Sequence, residues 1–270
     1  MSDIVLSSGV RANLLQLQQT SDLITTTQER LATGKRVNSA LDNPINYFTA
    51  QGLSNRANDL NSLLDSMSTG INTIQSANNG ISSITKLVQS AQSLVSQANQ
   101  TTDTTTRASL AAQFDSIRTQ IDLLAGDAGF NGINLINGDS LTMTLNDTNT
   151  SQVTVSGVTD TSAGLAINAS SNSWAASADI ATASSDLQNA LVTLRSQSQA
   201  LSSNLQTVQV RQDFTKSMVN TLNNGADDLT LADTNQEGAN LLALQTRQQL
   251  STTALSLAAQ ADQNVLKLFH

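Results

Sequence analysis

The 270-residue chain is 3% aromatic and 13% charged, contains one proline and no cysteine, and has its single histidine at position 270. This composition excludes disulfide frameworks, thiol nucleophiles and histidine-dependent catalysis. A net charge of −8 argues against nucleic-acid binding, which requires a basic surface. Because no apolar stretch could span a bilayer and the first residues lack a secretory-signal pattern, we expect no membrane insertion and, if the chain is exported, another export route.

The first predicted element is an amphipathic helix of roughly 28 residues. Apolar residues recur every seven positions along it, with Leu14 beside them: Val10, Leu17, Ile24 and Leu31. Gly34 follows the helix as a residue that tolerates positive φ at a C-terminus. Residues 34–43 show no clean periodicity and are predicted to form a connector.

A second and much longer helix is predicted to begin at Asn43-Pro44, because Asn is a favoured N-cap and Pro is favoured at the first helical position. Seven consecutive heptad positions are apolar: Leu53, Leu60, Met67, Ile74, Ile81, Val88 and Val95. A helix over residues 44–100 would be roughly 80 Å long at 1.5 Å per residue. This length indicates an elongated rod.

A third helix is predicted after the polar break at residues 101–106 and ends near Gly126 and Gly129. Residues 130–168 then change from helical spacing to alternation of apolar and polar residues, with Asn-Gly turn dipeptides at 131–132 and 137–138. We predict two short β-hairpins here. Trp174 lies outside the heptads and is expected to anchor this tip to the rod.

The second half of the chain mirrors the first. Residues seven apart, all apolar except Thr215, predict another long helix: Ile180, Leu187, Leu194, Leu201, Val208, Thr215, Leu222 and Leu229. The pattern weakens at Asn223-Asn224-Gly225, so residues 224–234 are predicted to form a second connector. Thr234 and Glu237 match a capping box at the start of the final helix.

These patterns predict a mainly α fold: an elongated antiparallel long-helix coiled-coil rod with a small β-hairpin tip and paired terminal helices. Four domains are expected. Residues 1–33 and 235–270 form an inner terminal-helix domain, and residues 34–43 and 224–234 form the connectors. Residues 44–129 and 178–223 form a helical rod domain, and residues 130–177 form the β-hairpin tip. The predicted rod core contains Leu60, Met67, Ile74, Ile81, Val88, Leu194, Leu201 and Val208.

The terminal helices carry few charges on their polar faces. Residues 1–28 contain only Asp3, Arg11 and Asp22 as charged residues, and Ser, Thr, Asn and Gln fill the rest of the polar face. Since uncharged polar groups cost far less to desolvate than ions, we predict that these helices are buried in an assembly. The alternative is a low-charge helix in a sparsely charged protein. The predicted assembly contacts are Leu14, Leu17, Ile24, Leu31, Leu250, Leu257, Val265 and Leu268.

No catalytic, cofactor or metal site is predicted. Residues 233–238 resemble the start of a calcium loop, but its twelfth position is Leu244 where a Glu is needed, so helix capping explains these residues better. Gly34-Lys35-Arg36 lacks the upstream glycine and the following hydroxyl residue of a phosphate loop. Asp227-Asp228 has no basic or metal-binding neighbour in the sequence and is interpreted as a solvated turn.

Four stretches resemble signatures of the bacterial flagellins. Residues 28–42 (QERLATGKRVNSALD) are similar to the family's N-terminal signature, and residues 130–135 (FNGINL) are similar to the end of its N-terminal rod segment. Residues 228–241 and 265–269 resemble its C-terminal signature. Residues 43–48 look like an alphaproteobacterial variant, and the large outer domains of many flagellins are missing from this short chain.

The resemblance implies a non-enzymatic structural subunit that polymerises into the extracellular flagellar filament for swimming motility, without cofactors. Its implied partners are further copies in a helical homopolymer, the flagellar type III export apparatus, an export chaperone, and hook-associated and cap proteins. The alternative within the superfamily is a hook–filament junction protein. From other classes, a cytoplasmic sensor coiled coil should carry more Glu/Lys pairs and a membrane span, and an enzyme lacks an assembled active site.

Overall fold

The computed structural model describes residues 8–268, without the side chains of residue 262 and residues 265–268. The helices are α1 (Ser8–Thr33), α2 (Pro44–Gln100), α3 (Thr104–Asp127), α4 (Ser177–Thr230) and α5 (Thr234–Leu268). Strands β1 (Leu141–Thr144) and β2 (Gln152–Val155) form an antiparallel pair. The mainly α class with long helices and a small β-hairpin is thereby confirmed. Within the described range, no helix combines the length and apolar character that crossing a membrane requires.

The chain divides into two compact units. One comprises residues 1–55 and 221–270, and the other comprises residues 56–220. Both α2 and α4 contribute residues to each unit. The first unit is called the terminal unit below, and the second is called the central unit.

The central unit is built on a core of aliphatic side chains from α2, α3 and α4. Side-chain hydrogen bonds show that α2 and α4 run antiparallel: Ser198 Oγ donates to Asn78 Oδ1 (3.1 Å), and Gln212 Nε2 donates to Ser68 Oγ (2.8 Å). All eight side chains predicted for this core are buried: Leu60, Met67, Ile74, Ile81, Val88, Leu194, Leu201 and Val208.

The segment between α3 and β1 differs from the sequence expectation of a hairpin. Residues 130–138 form turns and two isolated bridges, so β1 and β2 are the only strands in the described part of the chain. The reason lies in Asn134, whose buried Nδ2 donates to the carbonyl oxygens of Ala125 (2.7 Å) and Gly126 (3.0 Å) at the end of α3. These bonds satisfy helix carbonyls that lack intrahelical partners and draw the segment onto the helix end.

A short 3-10 turn at Asn172–Trp174 precedes α4. Its three residues all have positive φ, at 47°, 49° and 57°. Trp174 is fully buried, and its ring packs on that of Phe114 in α3 with 5.1 Å between centroids. This contact holds the segment that leads into α4 against α3.

Helix carboxylates hold the long loop that precedes this turn. Asp122 Oδ1 accepts a hydrogen bond from the Ser162 amide (2.6 Å), and Asp115 Oδ1 accepts one from the Ser170 amide (3.0 Å). Each aspartate also accepts a bond from the serine hydroxyl. The loop therefore has a defined path without regular secondary structure, since its backbone donors find acceptors on α3.

Helix α4 continues past the point where the sequence predicts a connector. The Asn223-Asn224-Gly225 stretch is helical, and α4 ends only at Thr230, so residues 224–230 of the expected connector belong to the helix. Leu222 and Ala226 are buried on its inner face. Burial of that face outweighs the local cost of glycine, which is about 1 kcal/mol in a helix interior.

Candidate assembly surfaces

Helices α1 and α5 pack against each other in the terminal unit. The buried side chains of α1 mix apolar and hydroxyl residues: Val10, Thr20, Ile24 and Thr27. The hydroxyl of Thr20 is satisfied within the helix, because its Oγ1 donates to the Gln16 carbonyl oxygen (2.8 Å). The pair is therefore held by a mixed face in which no charged α1 residue is buried.

An ion pair joins the two helices. Arg30 Nη1 lies 3.2 Å from Glu237 Oε1, and the side chains are 32% and 10% exposed, respectively. Glu237 lies in the first turn of α5, where the helix dipole favours a carboxylate. Sequence reasoning missed this pair, because nothing in local spacing links residues at opposite ends of a chain.

The predicted capping box at Thr234 and Glu237 is wrong. Asp233 caps α5 instead, and its Oδ1 accepts hydrogen bonds from the amides of Asn235 (2.9 Å) and Gln236 (3.2 Å). An aspartate at the N-cap leaves the Glu237 carboxylate free to reach Arg30. Among the described residues there is no cluster of three or more side chains suited to holding a metal ion.

Backbone hydrogen bonds tie together the segments that follow α1 and α4. The amide of Arg36 donates to the Thr230 carbonyl oxygen (2.7 Å), and that of Ala232 donates to the Gly34 carbonyl oxygen (2.9 Å). Gly34 has a φ of 69°, a conformation that glycine adopts without steric cost. The Gly34-Lys35-Arg36 segment is thus a structural turn in the terminal unit.

A second turn, at residues 38–42, is organised by Asp42. Its Oδ2 accepts hydrogen bonds from the amides of Ser39 (2.9 Å) and Asn38 (3.0 Å). These backbone bonds, that of Ser39 first, lower the pKa of Asp42 because they stabilise the ionised carboxylate. The next residue, Asn43, accepts from the Asn46 amide (3.0 Å) and caps α2 as predicted.

The eight residues predicted to make assembly contacts occupy different environments. The exposed members are Leu14 (39%), Leu250 (67%) and Leu257 (62%). Three members lie on the side of α1 that faces α5: Leu17 and Leu31 are half-buried, and Ile24 is buried. The side chains of two lie outside the described residues: Val265 and Leu268.

Sequence reasoning missed further exposed leucines in the terminal unit. On α1 and α5 they are Leu15 (57%), Leu23 (51%) and Leu242 (67%). On α5, the half-buried Leu241 and Leu244 lie on the side of Glu237, whereas Leu250 and Leu257 project away from that side. The predicted contact residues Leu250 and Leu257 therefore do not lie on the face of α5 that packs on α1. The missed leucines could have been found in the sequence, because they lie outside the heptad positions of helices that carry few charged residues.

Known proteins are similar in sequence to this chain over its full length. Residues 10–141 match the family model for the bacterial flagellin N-terminal helical region. Flagellin FljM of Caulobacter vibrioides is 32% identical, over 100% of this chain and 99% of that protein, and flagellin FljK of the same bacterium is 33% identical with equal coverage. A flagellin of Brucella melitensis is 27% identical, also over 100% of this chain and 99% of that protein.

Proposed function

Since the chain belongs to the bacterial flagellin family and is therefore a structural subunit of the extracellular flagellar filament, we propose that exposed leucines of its terminal helices join successive copies. Self-polymerisation is the activity of the family. Full-length similarity to several flagellins favours the repeated filament subunit over the hook–filament junction protein.

The exposed stripe of α5 carries the proposal. Leu250 and Leu257 are about two-thirds exposed on a helix whose polar residues are almost all uncharged. Burying a leucine side chain contributes about 1.5–3 kcal/mol, and the neighbouring Gln, Ser and Thr side chains cost much less to desolvate than ions would. Leu14 of α1 presents a second such contact. The set predicted from the sequence also includes Val265 and Leu268, together with Leu17, Ile24 and Leu31, for which we propose a supporting role because they lie on the side of α1 that packs on α5.

The proposed division of roles follows the domains expected from the sequence. Residues 1–33 and 235–270 provide subunit contacts, and residues 44–129 and 178–223 provide a stiff helical scaffold. Residues 34–43 and 231–233 connect the two, since residues 224–230 of the expected connector belong to α4, and residues 130–177 form the tip. The buried aliphatic core of α2, α3 and α4 supports the scaffold role, because a continuous core resists bending.

The proposed partners outside the homopolymer are the type III export apparatus, an export chaperone, and hook-associated and cap proteins. Family membership supports them. A single proline and the absence of cysteine also suit a chain that is exported unfolded, because slow X-Pro isomerisation or disulfide reshuffling would delay refolding. An exposed leucine stripe on α5 offers a chaperone an apolar surface before polymerisation.

Polymerisation of a double variant tests the proposal. Leu250→Ser with Leu257→Ser should raise the critical concentration at least tenfold, since about 1.4 kcal/mol corresponds to a factor of ten and each leucine contributes about that much or more. Gln249→Ser with Gln260→Ser is the matched control on exposed positions of the same helix. Sedimentation of polymer and electron microscopy measure the outcome, and circular dichroism checks that helix content is kept. An unchanged critical concentration would contradict the proposal.

A truncation gives an independent test. Removing residues 235–270 should leave a soluble chain that cannot polymerise, because the proposed contacts of α5 are lost. Filaments assembled from this truncated chain would refute the assignment of subunit contacts to the final helix.

A further inference from the structure

A cavity of about 310 Å³ lies where the loop that precedes α4 meets the first turns of that helix. Its walls include Asn168 and Ser171 from the loop, Trp174 from the 3-10 turn, and Asp179 and Asp186 from α4. All of these residues belong to the central unit, so the cavity is separate from the proposed subunit contacts. Sites for small molecules span about 300–1,000 Å³, and a cavity at the lower end of that range suits a ligand with a single ring.

Two polar atoms of these lining residues are buried without a hydrogen-bond partner in the part of the chain that the structure describes. They are Nε1 of Trp174, which is a donor, and Oδ2 of Asp179, which is an acceptor. Trp174 is fully buried, and Asp179 is half-buried. Because an unpaired buried donor or acceptor costs free energy, a ligand group that accepts from Nε1 and donates to Oδ2 is stabilised in this cavity.

The indole of Trp174 is held in place from several sides. Its ring packs on that of Phe114, and its amide donates to the Ser171 carbonyl oxygen (2.8 Å). The next residue is fixed by the buried Arg107, whose Nη1 donates to the Ala175 carbonyl oxygen (3.2 Å). The wall of the cavity is therefore preorganised, which lowers the ordering cost of binding a ligand.

The two carboxylates of the cavity share one face of α4. Asp179 and Asp186 are seven residues apart, which is two helical turns and about 10 Å along the axis at 1.5 Å per residue. Asn168 Nδ2 donates to Asp186 Oδ2 (2.9 Å), so the loop orients this carboxylate. Within the described residues, no lysine or arginine forms an ion pair with either aspartate. Both carboxylates therefore keep acceptor capacity for a ligand.

These groups select a ligand by its charge and by its hydrogen-bonding capacity. Two carboxylates without a paired cation repel an anion. A metal cation attracts carboxylates, but it cannot accept a hydrogen bond from the Nε1–H group of Trp174. A hydroxyl group does both, because its oxygen accepts and its hydrogen donates. A ring that carries several hydroxyl groups can bond to Asp179, Asp186 and Trp174 together, and Ala169 and Ala183 add apolar lining for its CH groups.

We propose that this cavity binds a free, uncharged polyhydroxylated molecule of monosaccharide size. Its hydroxyl groups donate to Asp179 and Asp186, and one of its oxygens accepts from Trp174 Nε1. The exposed Asn168 and Ser171 form the rim, so the ligand enters from solvent without unfolding of the chain. For so small a ligand we expect a dissociation constant on the order of 1 mM. This binding goes beyond the proposed function, because it does not require polymerisation.

The fluorescence of Trp174, the only tryptophan of the chain, reports on this cavity. The unpolymerised full-length chain is titrated with glucose, galactose, mannose and myo-inositol, and at least one of them should give a saturable change. Asp179→Ala should weaken that binding at least about tenfold, because a hydrogen bond to a charged acceptor is lost. The matched control is the exposed Asp213→Ala on the same helix, which should bind as the unmodified chain does.

Two further measurements check the roles of charge and of the indole donor. Glucuronate should bind severalfold more weakly than glucose, because its carboxylate is repelled by Asp179 and Asp186. Trp174→Phe keeps an aromatic ring but removes the Nε1–H donor, so it should weaken binding severalfold when the bound sugar is observed by NMR. Circular dichroism checks that each variant keeps its helix content.

Three results would overturn the inference. The first is that none of the four compounds gives a saturable response with the unmodified chain. The second is that Asp179→Ala binds as tightly as the unmodified chain. The third is that terbium ions, and none of the four compounds, bind beside Trp174 in an Asp179-dependent way, seen as terbium emission sensitised by the indole, because this would identify a cation site. Since all of these measurements use unpolymerised chain, their failure leaves the proposed function intact.

Discussion

Arg30 and Glu237 are 207 residues apart in the sequence, and 3.2 Å separates Arg30 Nη1 from Glu237 Oε1. Both residues lie in stretches that resemble the family signatures, one at each end of the chain. Glu237 is nearly buried and Arg30 is about one-third exposed, so the pair is partly shielded from solvent. It fixes the register between α1 and the first turn of α5.

Replacing Arg30 by Gln should weaken the α1–α5 pair by about 1–2 kcal/mol, because it leaves the Glu237 carboxylate with no cation in a nearly buried position. The Glu237→Gln variant should lose less stability, since it removes the buried charge that needs a cation beside it. Hydrogen exchange of amides at residues 24–33 and 237–247 measures the effect, with the exposed Glu29→Gln as control. A double-mutant cycle with no coupling energy would contradict this account.

Asp160 should make the central unit less stable as the pH rises. Burial raises its pKa from 3.8 to about 6, with the Gln197 side chain partly opposing the shift. The folded chain therefore holds this proton more tightly than the unfolded chain, and stability falls between about pH 4 and 6 and stays lower above that range. Asp160→Asn should raise stability at pH 7.5 by about 1–3 kcal/mol, since one pKa unit corresponds to about 1.4 kcal/mol.

Thermal unfolding at several pH values measures this effect. The advantage of Asp160→Asn over the unmodified chain should grow from pH 4 to 7, whereas the exposed Asp65→Asn control should show no such growth. An advantage independent of pH would show that the titration of Asp160 does not control stability.

Two glycines of α2 should respond oppositely to replacement by alanine. A Cβ at Gly52 meets nothing within 4 Å, so Gly52→Ala should stabilise the chain by about 0.5–1 kcal/mol through helix propensity. A Cβ at Gly80 would lie 2.6 Å from Ile136 Cδ1 and 2.8 Å from Ala128 Cβ. Gly80→Ala should therefore destabilise by about 1–3 kcal/mol through overpacking. Denaturant unfolding compares the two, and equal stabilisation would show that the neighbours of Gly80 move freely.

Asn134→Ala should destabilise the junction between α3 and the tip by about 2–3 kcal/mol. The substitution removes two hydrogen bonds to helix carbonyls and the Oδ1 acceptor of the Ile136 amide (3.2 Å), all in a buried site. The exposed Asn137→Ala is the matched control. Denaturant unfolding followed by the fluorescence of Trp174, the only tryptophan, measures the difference. A loss no larger than that of Asn137→Ala would contradict the proposed role of Asn134.

The sequence by itself determined that the chain forms long helices, which side of α2 and of α4 is buried in the central unit, and the family. Heptad spacing predicts a buried stripe because it depends only on distances along one helix, and the side chains that it placed in the core, such as Met67 and Leu194, are buried. The resemblance to flagellins was also local, because it lay in short stretches such as residues 28–42, and the full-length relatives confirm it.

Only the tertiary structure decided which distant residues meet. In the structure, Leu250 and Leu257 lie on the side of α5 that faces away from α1, and Glu237 pairs with Arg30. Helix α4 continues through Gly225, and Asn134 bonds to the end of α3 in a segment where a hairpin was expected. Each outcome depends on burial or on a hydrogen-bond partner supplied by a distant segment. Local spacing specifies which face of a helix is apolar, but it contains no information about the surface that will cover that face, and the free energy of burial decides between the alternatives.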